Sequence, residues 1–201
     1  MTTLDTVVSL TLAIVLIVGG YQFYFWCQRR TRRRGRLLST RFDESIRLRP
    51  SWVWIYSGIY YPAIAVVVMS AKDLRTFNYM AFSYLVLLAL HVLVFLVFPV
   101  EVPQHWRQLD SNDRSLSIRF LAFVQSFDAR SNCFPSMHMS VATLTALHIV
   151  KNTGCGPTWP GLFVASTAAS CVFTKQHYLI DLPAGALLGA ATYYSFLALM
   201  R

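Results

Sequence analysis

Two histidines and an aspartate stand in short polar runs at the edges of hydrophobic stretches. His138 closes the run Asn132-Cys133-Phe134-Pro135-Ser136-Met137-His138; His177 and Asp181 belong to Thr174-Lys175-Gln176-His177-Tyr178-Leu179-Ile180-Asp181. Ionisable groups are costly inside or beside a bilayer, so their presence there points to function. Together the three side chains make up an acid, a nucleophile and an orienting carboxylate. A separation of four puts His177 and Asp181 on one face if the segment is helical. If Pro183 instead starts a helix with Asp181 near its cap, a turn must bring them together. In both cases the carboxylate holds one imidazole nitrogen, sets the tautomer and leaves the other nitrogen to attack.

The first run carries a helix-start signature. Proline is tolerated in the first turn and serine is a favoured cap, so a helix is expected to begin near Pro135 and Ser136. The free N–H groups and positive dipole end of such a helix form a ready phosphate site, with Ser136 at its mouth. His138, beside that site, can give a proton to a departing oxygen. Lys175 adds a cation for phosphate oxygens, and Asn132 is a candidate hydrogen-bonding partner within the loop. Each run also has a purely structural alternative: a capped helix with an interfacial histidine, and a His–Asp pair that satisfies only itself. Whether the two runs reach one face of the protein decides between the readings.

The elements that must position them are membrane helices. The chain has 201 residues, 55% of them hydrophobic, with a mean hydropathy of +0.46, too apolar for an ordinary soluble domain. A span needs roughly 20 mostly apolar residues. Stretches at 7–26, 52–71, 79–100, 137–150, 158–173 and 182–200 predict an all-α, polytopic bundle of six transmembrane helices in a single domain, 1–201. The fourth and fifth are short, so their helices are expected to take in flanking motif residues. No basic segment precedes the apolar run at 7–26, and the run is too long for a signal peptide, so it is read as a retained span. The connection 101–136 is too polar to cross. Leu116, Phe120, Phe123, Val124 and Phe127 recur in it at helical intervals, which predicts an interfacial amphipathic helix near 113–127.

A six-span count puts both polar runs on one side. The connections on that side carry 14 of the 18 Lys and Arg residues, nine of them arginines at 29–49. The positive-inside rule places that side, and the site with it, in the cytoplasm. Arg29, Arg30, Arg32, Arg33, Arg34 and Arg36 are expected to meet anionic phospholipid headgroups. The cluster is short and membrane-flanked, and nucleic-acid binding is not expected of it. Cys27, Cys133, Cys155 and Cys171 form neither a CxxC pair nor a zinc spacing, and are read as small apolar residues. His91 and His148 are read as packed, hydrogen-bonded histidines. His105 is read as interfacial, and Asp110, Asp113 and Asp128 as solvated loop residues.

These residues resemble the type 2 phosphatidic acid phosphatase superfamily of integral membrane enzymes. Its Pro-Ser-Gly-His motif is matched by Pro135-Ser136-Met137-His138. Its Ser-Arg, five residues, His, three residues, Asp motif is matched from Ser170-Cys171 to His177 and Asp181. The resemblance implies a six-helix bundle and a metal-independent reaction without a cofactor. In that reaction His177 attacks phosphorus, Asp181 orients it and His138 protonates the leaving alkoxide; the substrate is a membrane lipid. Two departures stand out. Cys171 replaces the family's arginine, and the Lys, six residues, Arg-Pro motif is absent after the third span. Lys175, Arg107, Arg130 and the arginines at 41–49 are the candidate replacements.

A site with fewer cations suits a phosphodiester monoanion better than a monoester dianion. The string His177-Tyr178 to Asp181 is similar to the branch containing inositol phosphorylceramide and sphingomyelin synthases. Hydrolysis is nevertheless the common activity of the resembled superfamily and water is always available, so the expectation is a lipid phosphatase acting on a phosphate or diphosphate through a phosphohistidine. Headgroup transfer onto a lipid alcohol is the alternative, and a non-catalytic lipid-binding relative a second one. Members of the resembled family usually face away from the cytoplasm; the charge count is given the greater weight.

Overall fold

The computed structural model describes residues 3–31, 34–109, 113–128 and 130–199. Arg32, Arg33, Asp110 and Met200, which figure in the sequence reading, lie outside the described residues. Among the described residues every element is helical, apart from one isolated bridge between Arg36 and Val100. The first helical run joins α1 (Thr3–Ile14), a π-helical turn (Val15–Gly19) and α2 (Gly20–Thr31). A short α3 (Arg41–Ser45) follows. It is held by a capping box in which Thr40 and Asp43 satisfy each other's backbone N–H groups.

The second run, Pro50–Met69, passes through a π-helical turn (Trp54–Ile59) into α4 (Tyr60–Met69). Pro62 lies in its first turn and has no N–H to return to the preceding turn. Next comes α5 (Leu74–Val97), started by Asp73, whose carboxylate accepts from Thr76 N at 2.7 Å. It stops at Phe98 because the residue before Pro99 is driven out of helical geometry. The amphipathic helix in the connection is α6 (Leu116–Phe127), capped by Ser115. It starts with the apolar pattern at Leu116, three residues after the expected bound at 113, because Ser115 supplies the cap.

Three helices complete the bundle: α7 (Met137–Thr153), α8 (Thr158–Phe173) and α9 (Asp181–Leu199). α7 ends at Gly154, whose φ of 69° is the left-handed conformation that glycine adopts freely. Each of the six stretches expected to span is thus helical, with ends moved by caps and prolines. Pro50–Met69, Leu74–Val97 and Asp181–Leu199 are long and apolar enough to cross a membrane. The protein is a membrane helical bundle.

α7 lies at its centre, against α4, α5, α8 and α9. Several of its polar side chains are paired within the bundle: Ser140 Oγ with His91 Nε2 at 3.1 Å, and Thr145 with the Tyr84 hydroxyl at 2.7 Å. His148 Nε2 lies 3.0 Å from Ser83 Oγ. Such pairs hold helices together where lipid offers no alternative partner. α9 approaches α7 most closely. A Cβ at Gly185 or Gly189 would collide with the carbonyl oxygens of Ser136 or Ser140. The two glycines therefore set the separation of the helices that begin at the two polar motifs.

Candidate active site

Residues 174–180, between α8 and α9, form a turn, not a helix. Gln176 N and His177 N both bond back to Cys171 O, at 3.1 and 3.3 Å, and Lys175 sits in the left-handed region at φ 57°. The turn, not helical periodicity, carries His177 to Asp181: Nδ1 lies 3.2 Å from Asp181 Oδ2. The same nitrogen is 2.9 Å from Cys133 O. Both neighbours are acceptors, so Nδ1 carries the hydrogen and Nε2 keeps a free lone pair. Tyr178 N donates to Asp181 Oδ2 at 2.9 Å and fixes the carboxylate. Asp181 Oδ1 is buried without a partner among the described residues.

The first motif is tied to the second through the backbone. Ser136 N donates to Asp181 O at 3.1 Å, and Ser136 Oγ caps α7 by accepting from Met139 N at 3.3 Å. In the first turn of α7, the His138 ring lies 6.0 Å from that of His177, centroid to centroid, at 63°. Both histidines and Asn132 line a cavity of about 710 Å³. The first helical run contributes Leu16, Gly20, Tyr24 and Phe25 to its wall, and the second contributes Tyr56, Tyr60, Tyr61 and Ile64. α6 closes it with Phe120, Phe123, Val124 and Phe127. Asp128 is its one acidic lining residue, and no Lys or Arg is among the described lining residues. A slot of this kind has the shape and apolar lining to take a hydrocarbon chain, with the two histidines at its polar part.

The remaining candidates sit around this cavity. Asn132, at φ 62°, bonds to the first helical run: Nδ2 donates to Tyr24 O at 3.2 Å and Oδ1 accepts from Thr31 Oγ1 at 3.4 Å. Arg107 lies behind the wall. Its guanidinium pairs with Asp128 Oδ2 at 3.3 Å, donates to Asp128 O, and donates to Gln176 Oε1 at 2.8 Å. Lys175 is turned away. Its Nζ donates to Asp43 O at 2.5 Å and lies 4.3 Å from the centroid of the Trp106 ring. Burial pulls the Lys175 ammonium below its usual pKa range, and the charges of Glu44 and Asp43 oppose that shift. Ser170 is buried and donates to Thr167 O at 2.7 Å. Cys171 Sγ, at the position of the missing arginine, lies 4.0 Å from Ser136 Oγ. Arg130, at φ 52°, lines a separate surface pocket with Gly35, Gln104 and His105. The structure thus gathers His138, His177, Asp181, Ser136 and Asn132, and leaves Lys175, Ser170 and Arg130 off the cavity wall. Among the described residues no group of three or more His, Cys, Asp or Glu side chains is arranged as a metal site.

A family model described as the PAP2 superfamily matches residues 34–195. The chain belongs to the PAP2 superfamily. It is an integral membrane protein of a family of phosphatases and phosphotransferases, with both polar motifs inside the matched residues. Comparison with curated proteins and with solved structures finds no match. The match begins after the first helical run, so the cavity wall supplied by Leu16, Gly20, Tyr24 and Phe25 lies outside the PAP2 region.

Several site residues escape sequence reasoning. Asp128 was expected in solvent. It is instead half-buried, because Gln28 Nε2 at 2.6 Å, the Tyr24 hydroxyl at 3.2 Å and Arg107 all converge on it. The Cys133 carbonyl has no sequence signal, since every residue has one. Asp43 reaches across 136 positions to accept from Leu179 N at 2.8 Å; its capping-box spacing from Thr40 was the available signal. Tyr56 and Tyr60, four apart on one helix, lie against His138.

Proposed function

We propose that this PAP2-superfamily protein is a lipid phosphatase that hydrolyses a membrane-lipid phosphate or diphosphate through a phosphohistidine on His177. One observation carries the reading. His177 Nδ1 is held by two acceptors, Cys133 O and Asp181 Oδ2, and the ring lines the cavity together with His138. The lone pair of Nε2 attacks phosphorus. As the N–P bond forms, the P–O bond to the lipid breaks and the departing oxygen takes the proton of His138. Asp181 and Cys133 O stabilise the cationic ring. Water then attacks phosphorus and gives its proton to His138, and phosphate leaves. The first turn of α7, capped by Ser136, offers backbone N–H groups to the phosphoryl oxygens. Asn132 contributes a side-chain amide, and Arg107 a positive charge behind the wall. The lipid chain runs along the aromatic wall.

A second reading is favoured by the cation-poor wall. Cys171 occupies the family's arginine position, and Lys175 is committed to Asp43 O. A singly charged phosphodiester is easier to desolvate there than a dianion. In that reading a lipid alcohol replaces water, the headgroup is transferred, and the protein stands nearer the branch of inositol phosphorylceramide and sphingomyelin synthases.

Purified protein in vesicles with radiolabelled phosphatidate, a lipid diphosphate or a labelled phosphodiester lipid separates these readings. Phosphate release is expected, together with an alkali-stable, acid-labile label on the chain that is lost in His177→Ala. A new headgroup-bearing lipid would replace hydrolysis by transfer. Tight binding of the lipids with no turnover and no label would mark a non-catalytic relative.

The exposed Arg29, Arg30, Arg34 and Arg36 are assigned to anionic headgroups and the site to the cytoplasmic side, on the charge asymmetry of the connections. In a cysteine-free background, Thr76→Cys is expected to react with an impermeant thiol reagent in intact cells, and Ser39→Cys is not. The reverse labelling would move the site to the other face.

A further inference from the structure

His177 and His138 are held by different means. His177 has a carbonyl and a carboxylate at Nδ1. His138 makes no ion pair with a carboxylate among the described residues. What lies against it is aromatic. The Tyr56 ring stacks on it, with centroids 4.0 Å apart and planes at 23°. Tyr60 lies at 4.6 Å and 40°. Both tyrosines are 5% exposed or less. Tyr60 is backed in turn by Phe163 of α8, at 6.5 Å and 26°.

The backbone that presents the two rings is unusual. Tyr56 lies in the π-helical turn Trp54–Ile59, and Tyr60 is the first residue of α4. π-turns inserted into α-helices recur at functional sites. Here the wide turn precedes Pro62, and it and the start of α4 bring two phenol rings, four residues apart, to one imidazole.

We infer that Tyr56 and Tyr60 are positioning residues for His138, holding its ring toward His177 and stabilising its protonated form through their aromatic faces. The inference rests on the reading of His138 as the acid that protonates the leaving oxygen. An acid must be charged before the step and must point one N–H at the bond that breaks. A carboxylate does both for many catalytic histidines; none of the described residues does so here. A negative aromatic face attracts an imidazolium without accepting its proton, so both ring N–H groups stay available at the ring edge. Stacking also blocks rotation of the ring out of its plane. In the step itself the P–O electron pair moves to the leaving oxygen, which takes the His138 proton as the His177 N–P bond forms. The tyrosines exchange neither proton nor electron pair.

The experiment uses full-length protein in vesicles and matched pairs of substrates with the same phosphoryl group. One carries an alkyl leaving group, which needs a proton; the other carries p-nitrophenol, which leaves without one. Single-turnover release of the leaving group isolates the first step. Tyr56→Leu is expected to slow the alkyl ester about tenfold or more relative to the nitrophenyl ester, whereas any loss of lipid contact affects the two esters alike. Tyr56→Phe is expected to restore the alkyl rate, because the ring face and not the hydroxyl acts. Because removing a buried ring can unfold the bundle, Tyr60→Leu is run beside it with the same expectation and a smaller effect. Equal losses on both esters in folded variants, or no loss on either, would overturn the inference. His177→Ala separates the two levels: retained nitrophenyl release there overturns the phosphohistidine reading itself, whatever the tyrosine variants do.

Discussion

The cavity has two unlike sides. One is built from turns and helix ends, where His177, Asp181, Ser136 and Cys133 are fixed by hydrogen bonds, several of them to the backbone. The other is built from the rings of Tyr24, Tyr61, Phe120 and Phe123 on three separate helical segments, where shape and packing dominate; Tyr56 and Tyr60 stand between the two, against His138. Backbone hydrogen bonds fix an atom to within a fraction of an ångström, which attack on phosphorus demands. Packed rings tolerate adjustment, which suits a flexible lipid chain. The first side lies within the PAP2 match, whereas part of the second lies before it. Family membership therefore bears on the proposed chemistry more directly than on the proposed lipid.

If the sides divide their labour in this way, changes on the first side act on turnover and changes on the second on binding. Asp181→Asn is expected to lower kcat roughly 10²- to 10⁴-fold, as loss of an orienting carboxylate does elsewhere, toward the smaller end because Cys133 O still accepts from Nδ1. A loss equal to that of His177→Ala, with KM unchanged, would show that the carbonyl alone cannot hold the tautomer.

Gly185→Ala pushes α9 away from Ser136 O. It is expected to reduce stability by about 1–3 kcal/mol through overpacking and kcat by up to about 10²-fold through misplacement of the two motifs. Urea titration and initial rates read the two effects. Normal kcat in a destabilised variant would mean that the site does not depend on the spacing of α7 and α9.

On the other side, Phe123→Ala is expected to raise KM for a long-chain substrate about tenfold, the equivalent of losing part of one buried ring, with kcat little changed. Its KM for a short-chain analogue should stay near that of the parent protein. A fall in kcat of the same size would assign α6 to the chemistry.

The smallest effect on activity is expected at Lys175. Because Nζ is bonded to Asp43 O, Lys175→Ala should cost about 2 kcal/mol of stability and leave KM within about twofold of its starting value. A large rise in KM, partly restored in Lys175→Arg, would instead place the ammonium on the substrate phosphate and tie the motif turn to binding.

Much of this was legible beforehand. Hydropathy located the helices because a bilayer requires continuous apolar helical segments. Ser136 marked the start of α7 because an exposed first turn needs a cap. His138, His177 and Asp181 stood out because charge is expensive beside lipid. The cations were harder to place. Lys175 and Arg130 lie in or beside the motifs in sequence and Arg107 in the connection that leads to them, yet their side chains are drawn to Asp43, a separate surface pocket and Asp128. A long flexible side chain goes to whichever acceptor the fold brings within reach, and sequence spacing does not encode that.

The sequence by itself determined a helical membrane bundle, the order of its helices, and the three side chains proposed as acid, nucleophile and carboxylate. These are local properties of apolar runs, caps and residue types. Only the tertiary structure decided that His177 meets Asp181 through a turn and shares its hydrogen with Cys133 O. It also decided that Asp128 is drawn from solvent to Arg107, and that two tyrosines of the second helical run lie on His138. Those arrangements join residues far apart along the chain, and their geometry follows from how the helices pack.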